Sequence, residues 1–171
     1  MDFDVAVIGA GAVGLATAYQ LGRAGKSVVV LEKEAAIGMG VSSRNSEVVH
    51  GGLYYPTGSL KARFCVHGRR LLYPFLEAHG VAYDKCGKLV VAANAGEVER
   101  LEAIFRQAQA NGVEGMTRLT AEEAIAIEPQ LACVAALHSP ESGVFDSHGY
   151  MLALHGEIGR ASCRERVCND V

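Results

Sequence analysis

Near the N-terminus, Gly9-Ala10-Gly11-Ala12-Val13-Gly14 sets glycines at the first, third and sixth positions of a short run. The chemistry this spacing suits is anion binding. Gly9 permits a tight turn, and Gly11 lets the backbone approach a pyrophosphate with no Cβ in the way. Gly14 lets the following helix pack closely on a strand. Unpaired N–H groups and the dipole at the helix N-terminus then favour the phosphate charge. Glu32 follows 23 residues after Gly9, where a carboxylate can accept from ribose hydroxyls and would repel a 2′-phosphate. Lys33, its neighbour, is grouped with these cofactor contacts. The set reads as a dinucleotide site that disfavours NADP. The competing reading is a glycine-rich turn in a non-binding α/β domain, with Glu32 merely solvated.

Such a site needs a strand before the glycines, a helix after them and a second strand ending at Glu32. Val5, Val7 and Ile8 supply the first apolar run. Leu15, Ala18, Tyr19 and Leu21 recur at helical spacing between Ala12 and Ala24, and Gly25 stops the helix. Ser27 to Leu31, Ser-Val-Val-Val-Leu, is strongly β-branched and predicts the second strand. A right-handed parallel βαβ crossover follows. Residues 34–58 are then irregular and rich in Gly, Ser, Ala and Tyr, and a segment of that length inside a compact domain is usually functional.

Further along, Ser59 is a candidate N-cap for a helix over residues 60–79, which Pro74 should kink or divide. Lys88 to Ala92 predicts a strand. Asn94-x-x-Glu97 and Thr120-x-x-Glu123 have the form of capping boxes opening helices at about 95–111 and 121–127. A short strand is expected at Val134 to Leu137, and Asp146 or Ser147 should cap a last helix. Lys61, Arg63, Arg69 and Arg70 are assigned to the polar face of the 60–79 helix. The fold class is α/β.

Composition narrows the function classes. A formal net charge of −3 and the lack of a basic cluster give no sign of a nucleic-acid partner. No apolar run reaches the roughly 18–20 residues that span a bilayer, and Asp2 and Asp4 replace the basic start of a signal peptide. The five cysteines form no CxxC pair, so neither a zinc site nor a disulfide framework is expected. His67, His79, His138 and His155 show no ligand spacing, and no metal is assigned. The expected location is cytoplasmic, with peripheral attachment to the inner membrane as the alternative. Residues 158–171, IGRASCRERVCNDV, break the pattern before them. Ile158 to Val167 reads as the translation of a common short-read sequencing adapter, so the chain is expected to be a C-terminally truncated fragment. A genuine amphipathic tail is the competing reading.

The stretch Ser42-Ser43-Arg44-Asn45-Ser46-Glu47-Val48-Val49-His50-Gly51-Gly52-Leu53-Tyr54-Tyr55 resembles the second FAD motif of the D-amino-acid-oxidase-like family of flavin oxidoreductases. With Tyr83-Asp84-Lys85-Cys86-Gly87-Lys88-Leu89-Val90-Val91-Ala92 and the later SGVFDSHGYMLAL, it is similar to the L-2-hydroxyglutarate dehydrogenase/oxidase branch of that family. The resemblance covers residues 4–157. It departs at Gly51, where the branch usually has Ala. A similar His-Gly-Gly occurs in glycerol-3-phosphate dehydrogenases of the wider family.

The resemblance implies FAD as the cofactor and a Rossmann-like FAD-binding domain joined to part of an α+β substrate domain. The FAD-binding part is expected over residues 1–80, the substrate domain over 81–140 and a returning helix over 141–157. Ser42, Ser43, Asn45 and Ser46 would meet ribitol oxygens, and Arg44 a phosphate or the flavin, against a solvated loop arginine. His50 would lie by the flavin and take the substrate O–H proton; a hydrogen-bonded structural histidine is the alternative. Tyr54 and Tyr55 would shape the substrate cavity. The implied partners are a small 2-hydroxy acid, with L-2-hydroxyglutarate first, and oxygen or a quinone-linked electron acceptor. An FAD-dependent amino-acid oxidase, a glycerol-3-phosphate dehydrogenase, an NAD-dependent dehydrogenase and a non-functional fragment stay open as rivals.

Overall fold

The computed structural model describes residues 3–161 and 167–168. The chain folds as two compact units. One comprises Met1–Glu47, Ala78–Ala82 and Asp146–Val171; the other comprises Val48–Glu77 and Tyr83–Phe145.

In the first unit, β1 (Val5–Ile8), α1 (Ala12–Arg23) and β2 (Val28–Leu31) form the expected βαβ crossover. β1 and β2 pair in parallel, with Val5 opposite Val28 and Ile8 opposite Leu31. Val167–Cys168, the last strand, pairs in parallel on the far side of β2. α5 (Ser147–Ala161) packs against α1. Met151, Leu154 and Ile158 are buried on it and lie at i, i+3 and i+7, one stripe of a helix. They join Leu15, Ala18, Val28 and Val30, all fully buried. Asp146 caps α5 by accepting from Gly149 N at 2.9 Å. Ile158, the first residue of the adapter-like stretch, thus sits in this core; beyond Ala161 the stretch lies outside the described residues apart from the backbone of 167–168.

The second unit is built on antiparallel pairing. β5 (Lys88–Ala92), β7 (Ala135–Ser139) and β6 (Thr117–Thr120) form a sheet in the order β5-β7-β6. α3 (Val98–Ala110) covers it, burying Leu101 and Phe105 with Ala92 and Leu137. A smaller sheet joins β3 (Val48–Val49), β8 (Gly143–Phe145) and β4 (Tyr83–Asp84) in the order β3-β8-β4. α2 (Leu60–Ala78) contributes Ala62, Val66, Tyr73 and Leu76 to the core. Residues 48–77, expected with the N-terminal part, fold with 83–145 because β3 finds its partner in β8.

Local expectations are met at some positions and not at others. Pro74 lies inside α2 without dividing it; the donor it lacks would have met the carbonyl of exposed Arg70. Thr120 and Glu123 form the complete capping box of α4 (Ala121–Ile127). At Asn94 the box is only half made. Its side chain accepts from Gly96 N, while Glu97 reaches past it to Ala93 N, and the segment starts as a 3-10 turn over Ala95–Glu97. Arg69 is not on the polar face of α2. It is 3% exposed, and its guanidinium pairs with Glu114 and lies 3.2 Å from Glu141. Flanking carboxylates are what allow a guanidinium to be buried.

Candidate functional site

The first unit brings five of the ten predicted cofactor residues, Gly9, Gly11, Glu32, Lys33 and Ser42, round one cavity of about 410 Å³; Gly14, Ser43, Arg44, Asn45 and Ser46 are not in its lining. Each wall has a local cause. Gly9 has φ +97°, a left-handed conformation that costs glycine little, and its N–H donates to Leu31 O at 2.7 Å. A Cβ at Gly14 would collide with the Gly9 carbonyl oxygen, so the close seating of α1 on the turn requires glycine there. A Cβ on Gly11 would meet Ser42 Oγ at 2.9 Å. Glycine at 11 thus lets the Ser42 side chain close on the start of α1.

Glu32 is 8% exposed and closes β2. Its Oε2 accepts from Ala10 N at 2.6 Å and its Oε1 from Glu34 N at 3.0 Å. The Ala10 bond above all, then the Glu34 bond, holds the carboxyl below the ordinary carboxylate range. Glu32 is thus an ionised acceptor inside the cavity, and it also ties the glycine turn to the end of β2. Lys33 points outward to Glu34 at 3.5 Å.

The loop after β2 splits into two roles. Gly38 N donates to Ala10 O at 2.9 Å, and Ser42 Oγ accepts from Ala12 N at 3.0 Å. A hydroxyl thereby sits at the N-terminus of α1, where an anion is favoured. Ser43 turns back to Gly40 O at 2.8 Å. Asn45, expected at ribitol, uses its amide within the protein. Nδ2 donates to Ser42 O and Ser147 Oγ, and Oδ1 accepts from Glu47 N at 2.7 Å. Arg44 and Ser46 are exposed.

Two positions that motif reading passed over complete this loop. Glu47 holds a left-handed φ of 57°, and its carboxylate accepts from Ser147 N at 3.0 Å and Ser147 Oγ at 2.9 Å. Asn45, Glu47 and Ser147 thus pin the loop to the start of α5. A positive φ in a non-glycine residue leaves no mark in sequence; only membership of the quoted motifs hinted at Glu47 and Ser147.

His50, Tyr54 and Tyr55 belong to the second unit. His50 is an exposed residue; partial desolvation of its ring first, then the charges of Lys88 and Lys61, hold the imidazole below its ordinary pKa. Lys88 Nζ lies 5.4 Å from the centre of the Tyr54 ring, and Lys61 Nζ 4.6 Å from that of Tyr55. Desolvation raises the Tyr54 phenol. This group offers a neutral imidazole base beside two ammoniums. Among the described residues no cluster of His, Cys, Asp or Glu could hold a metal ion.

Comparison with known proteins gives this geometry a family. Residues 4–166 match the FAD-dependent oxidoreductase (DAO) family. The mitochondrial L-2-hydroxyglutarate dehydrogenase of Arabidopsis thaliana is 48% identical over 151 residues, covering 88% of this chain and 31% of that protein. The corresponding human protein is 38% identical over 147 residues, covering 85% and 32%. Among solved structures, the dithionite-reduced L-α-glycerophosphate oxidase of Mycoplasma pneumoniae with FAD bound matches at TM-score 0.87 and 29% identity, over 98% of this chain and 45% of that one. The chain thus spans about a third of the length of the curated relatives it matches. The glycine turn at the start of α1 and the buried acceptor Glu32 fit the ADP half of FAD, and the chain belongs to the FAD-dependent oxidoreductase (DAO) family.

Proposed function

We propose that the protein of which this chain forms a part oxidises a 2-hydroxy acid, with L-2-hydroxyglutarate as its substrate. The observation that carries this reading is the 48% identity to an L-2-hydroxyglutarate dehydrogenase across 88% of the chain. The site supports it with a base of suitable character. FAD, when bound, would supply the hydride acceptor at flavin N5, with oxygen or a quinone-linked carrier as the proposed final acceptor. The chain's own residues do the rest. Gly9, Gly11 and the N-terminus of α1 take the pyrophosphate, and Glu32 accepts from the ribose. Ser42 lines the same cavity, while Ser43 gives its hydroxyl to Gly40 O and is exposed, as are Arg44 and Ser46. His50, uncharged at neutral pH, takes the O–H proton as C2 loses hydride, and the product is the 2-oxo acid. Tyr54 and Tyr55 bound the space for the substrate.

The direct test is oxidation of L-2-hydroxyglutarate by the parent flavoprotein, with the D-enantiomer, glycerol 3-phosphate and amino acids as comparisons and no NAD present. Selective turnover of the L-enantiomer is expected. A second reading, a glycerol-3-phosphate oxidase, is favoured by the His50-Gly51-Gly52 run and by the likeness to the Mycoplasma enzyme; preferred oxidation of glycerol 3-phosphate would establish it. We further propose that residues 1–171 alone bind FAD weakly and turn nothing over. Residues 158–171 we assign to the adapter, which sequencing the gene past codon 157 tests. Among the described residues no helix is long and apolar enough to cross a membrane. The thiols Cys65, Cys86 and Cys133 are free, which suits a reducing compartment. Cytoplasmic residence is proposed on that ground, although the curated relatives are named as mitochondrial. Fractionation of the source cells decides it.

A further inference from the structure

Four of the nine lysines and arginines of the second unit meet an acid: Arg69 and Arg70 meet Glu114, Lys85 meets Glu141, and Arg118 meets Glu102. Lys61 and Lys88 are among the other five, and they are the two that act on His50. Among the described residues neither has a carboxylate within ion-pair distance, and each instead rests on the face of a tyrosine, Tyr55 and Tyr54 respectively. An aromatic face orients an ammonium without neutralising it. The two lysines come from separate elements, α2 and β5, yet both act electrostatically on His50. Two positive charges that act on one uncharged imidazole, and that have no carboxylate within ion-pair distance among the described residues, attract an anion.

We propose that Lys61 and Lys88, held by Tyr55 and Tyr54, form a carboxylate receptor beside His50 that takes the second carboxylate of a dicarboxylic 2-hydroxy acid. The proposal rests on the functional reading above and deepens it. It gives the site a reason to prefer a dianionic substrate over a 2-hydroxy acid with an apolar side chain. It also gives Lys61, otherwise one more cation on an exposed helix face, a task in specificity. A phosphate monoester shares the anionic chemistry, so the test must separate the two.

The probes are glutarate, its uncharged diamide and glycerol 3-phosphate, each titrated into the 171-residue chain while the His50 ring signals are followed by NMR. Glutarate is expected to bind saturably and to raise the pKa of His50, because the bound anion offsets both ammoniums; the diamide should do neither. Lys61→Met and Lys88→Met keep the aliphatic stem and remove the charge. Each should weaken glutarate roughly tenfold, while Lys61→Arg should keep most of the affinity. An unshifted His50 in the presence of glutarate, unchanged glutarate affinity in both methionine variants, or tighter binding of glycerol 3-phosphate would each overturn the proposal. In the parent flavoprotein the methionine variants should raise KM for L-2-hydroxyglutarate with little change in kcat. Oxidation of L-2-hydroxyglutarate with an unchanged KM in both variants removes the receptor and leaves the functional reading intact. Lysine-dependent glutarate binding without any oxidation of L-2-hydroxyglutarate removes the functional reading and leaves the receptor.

Discussion

The glycines at 11 and 14 predict two different failures when each is replaced by alanine. At Gly14 the added Cβ would overlap the Gly9 carbonyl oxygen and come within 3.1 Å of the Gly9 carbonyl carbon, inside the roughly 3.5–4.0 Å of a comfortable carbon contact. Neither atom can yield. Gly9 is fixed by its hydrogen bond to Leu31 and by a φ of +97°. Helix α1 must therefore lift from β1, taking Leu15 and Ala18 out of close packing. Overpacking of this kind costs about 1–3 kcal/mol, partly offset by the ~1 kcal/mol by which alanine exceeds glycine in a helix. For a chain of this size each kcal/mol is worth roughly 2–4 °C in Tm. At Gly11 the new Cβ would meet only the Ser42 hydroxyl at 2.9 Å, the end of a side chain that can rotate, and φ is −81°, which alanine adopts freely. Gly11→Ala should leave the folding stability within about 1 kcal/mol of wild type and weaken FAD by roughly ten- to a hundredfold. Thermal denaturation together with flavin fluorescence titration reads both effects. If Gly14→Ala left Tm unchanged, or Gly11→Ala lowered Tm without touching FAD affinity, the assigned roles would be wrong.

Other positions make further predictions. Glu32→Gln keeps one acceptor but turns an NH2 toward a backbone N–H, so it should destabilise the fold by about 1–3 kcal/mol and weaken FAD. Because the folded state holds the Glu32 carboxyl below its ordinary range, its contribution is present above the unfolded value near 4.3 and is lost as pH falls through the folded pKa. The stability gap between wild type and Glu32→Gln, measured by denaturation at several pH values, should close in acid. For His50, depressed by desolvation and by Lys88 and Lys61, kcat/KM of the parent enzyme should stay flat through neutral pH and fall only below the ordinary 6.5. The same depression means that any stability linked to His50 is lost as pH falls through its folded pKa. Gly52, at φ +92° with Val66 Cγ2 3.0 Å from an added Cβ, should cost about 1–3 kcal/mol when changed to Ala. Gly51→Ala should cost less than Gly52→Ala, since Gly51 has no positive φ, but an added Cβ must still displace the buried Leu53 Cδ1 at 2.7 Å and sit 3.3 Å from the Ser139 and Ser142 hydroxyls. Calorimetry of the pair separates the two glycines.

The cofactor half of the fold was legible because each device there acts over a short stretch. A β-branched run, glycines at fixed spacing and a carboxylate ending β2 all report on contacts within about thirty residues. The division of the chain was harder to read. β3 has two residues and β8 three, too short for any alternation, and their pairing joins residues nearly a hundred positions apart. β6, Thr-Arg-Leu-Thr, reads as polar because Arg118 covers Phe105 at 3.7 Å while binding Glu102. Arg69 looked solvent-facing for a similar reason: its partner carboxylates, Glu114 and Glu141, lie far along the chain. Within the loop, residue types suggested which side chains meet a cofactor. They did not show that Asn45 spends its amide on Ser42, Glu47 and Ser147. Lys61 and Lys88 carried no local signal, since lacking an acid is a property of the folded surroundings.

The account turns on the first unit's cavity being an FAD site, and competitive titration tests that most directly. The 171-residue chain is titrated with FAD, following flavin fluorescence, and the bound flavin is then challenged with ADP, NAD+ and NADP+. Saturable, weak FAD binding is expected, displaced by ADP, poorly displaced by NAD+, not displaced by NADP+, and weakened roughly ten- to a hundredfold by Gly11→Ala. Tighter binding of NAD+ than of FAD, or FAD binding indifferent to Gly11→Ala and Glu32→Gln, would contradict it.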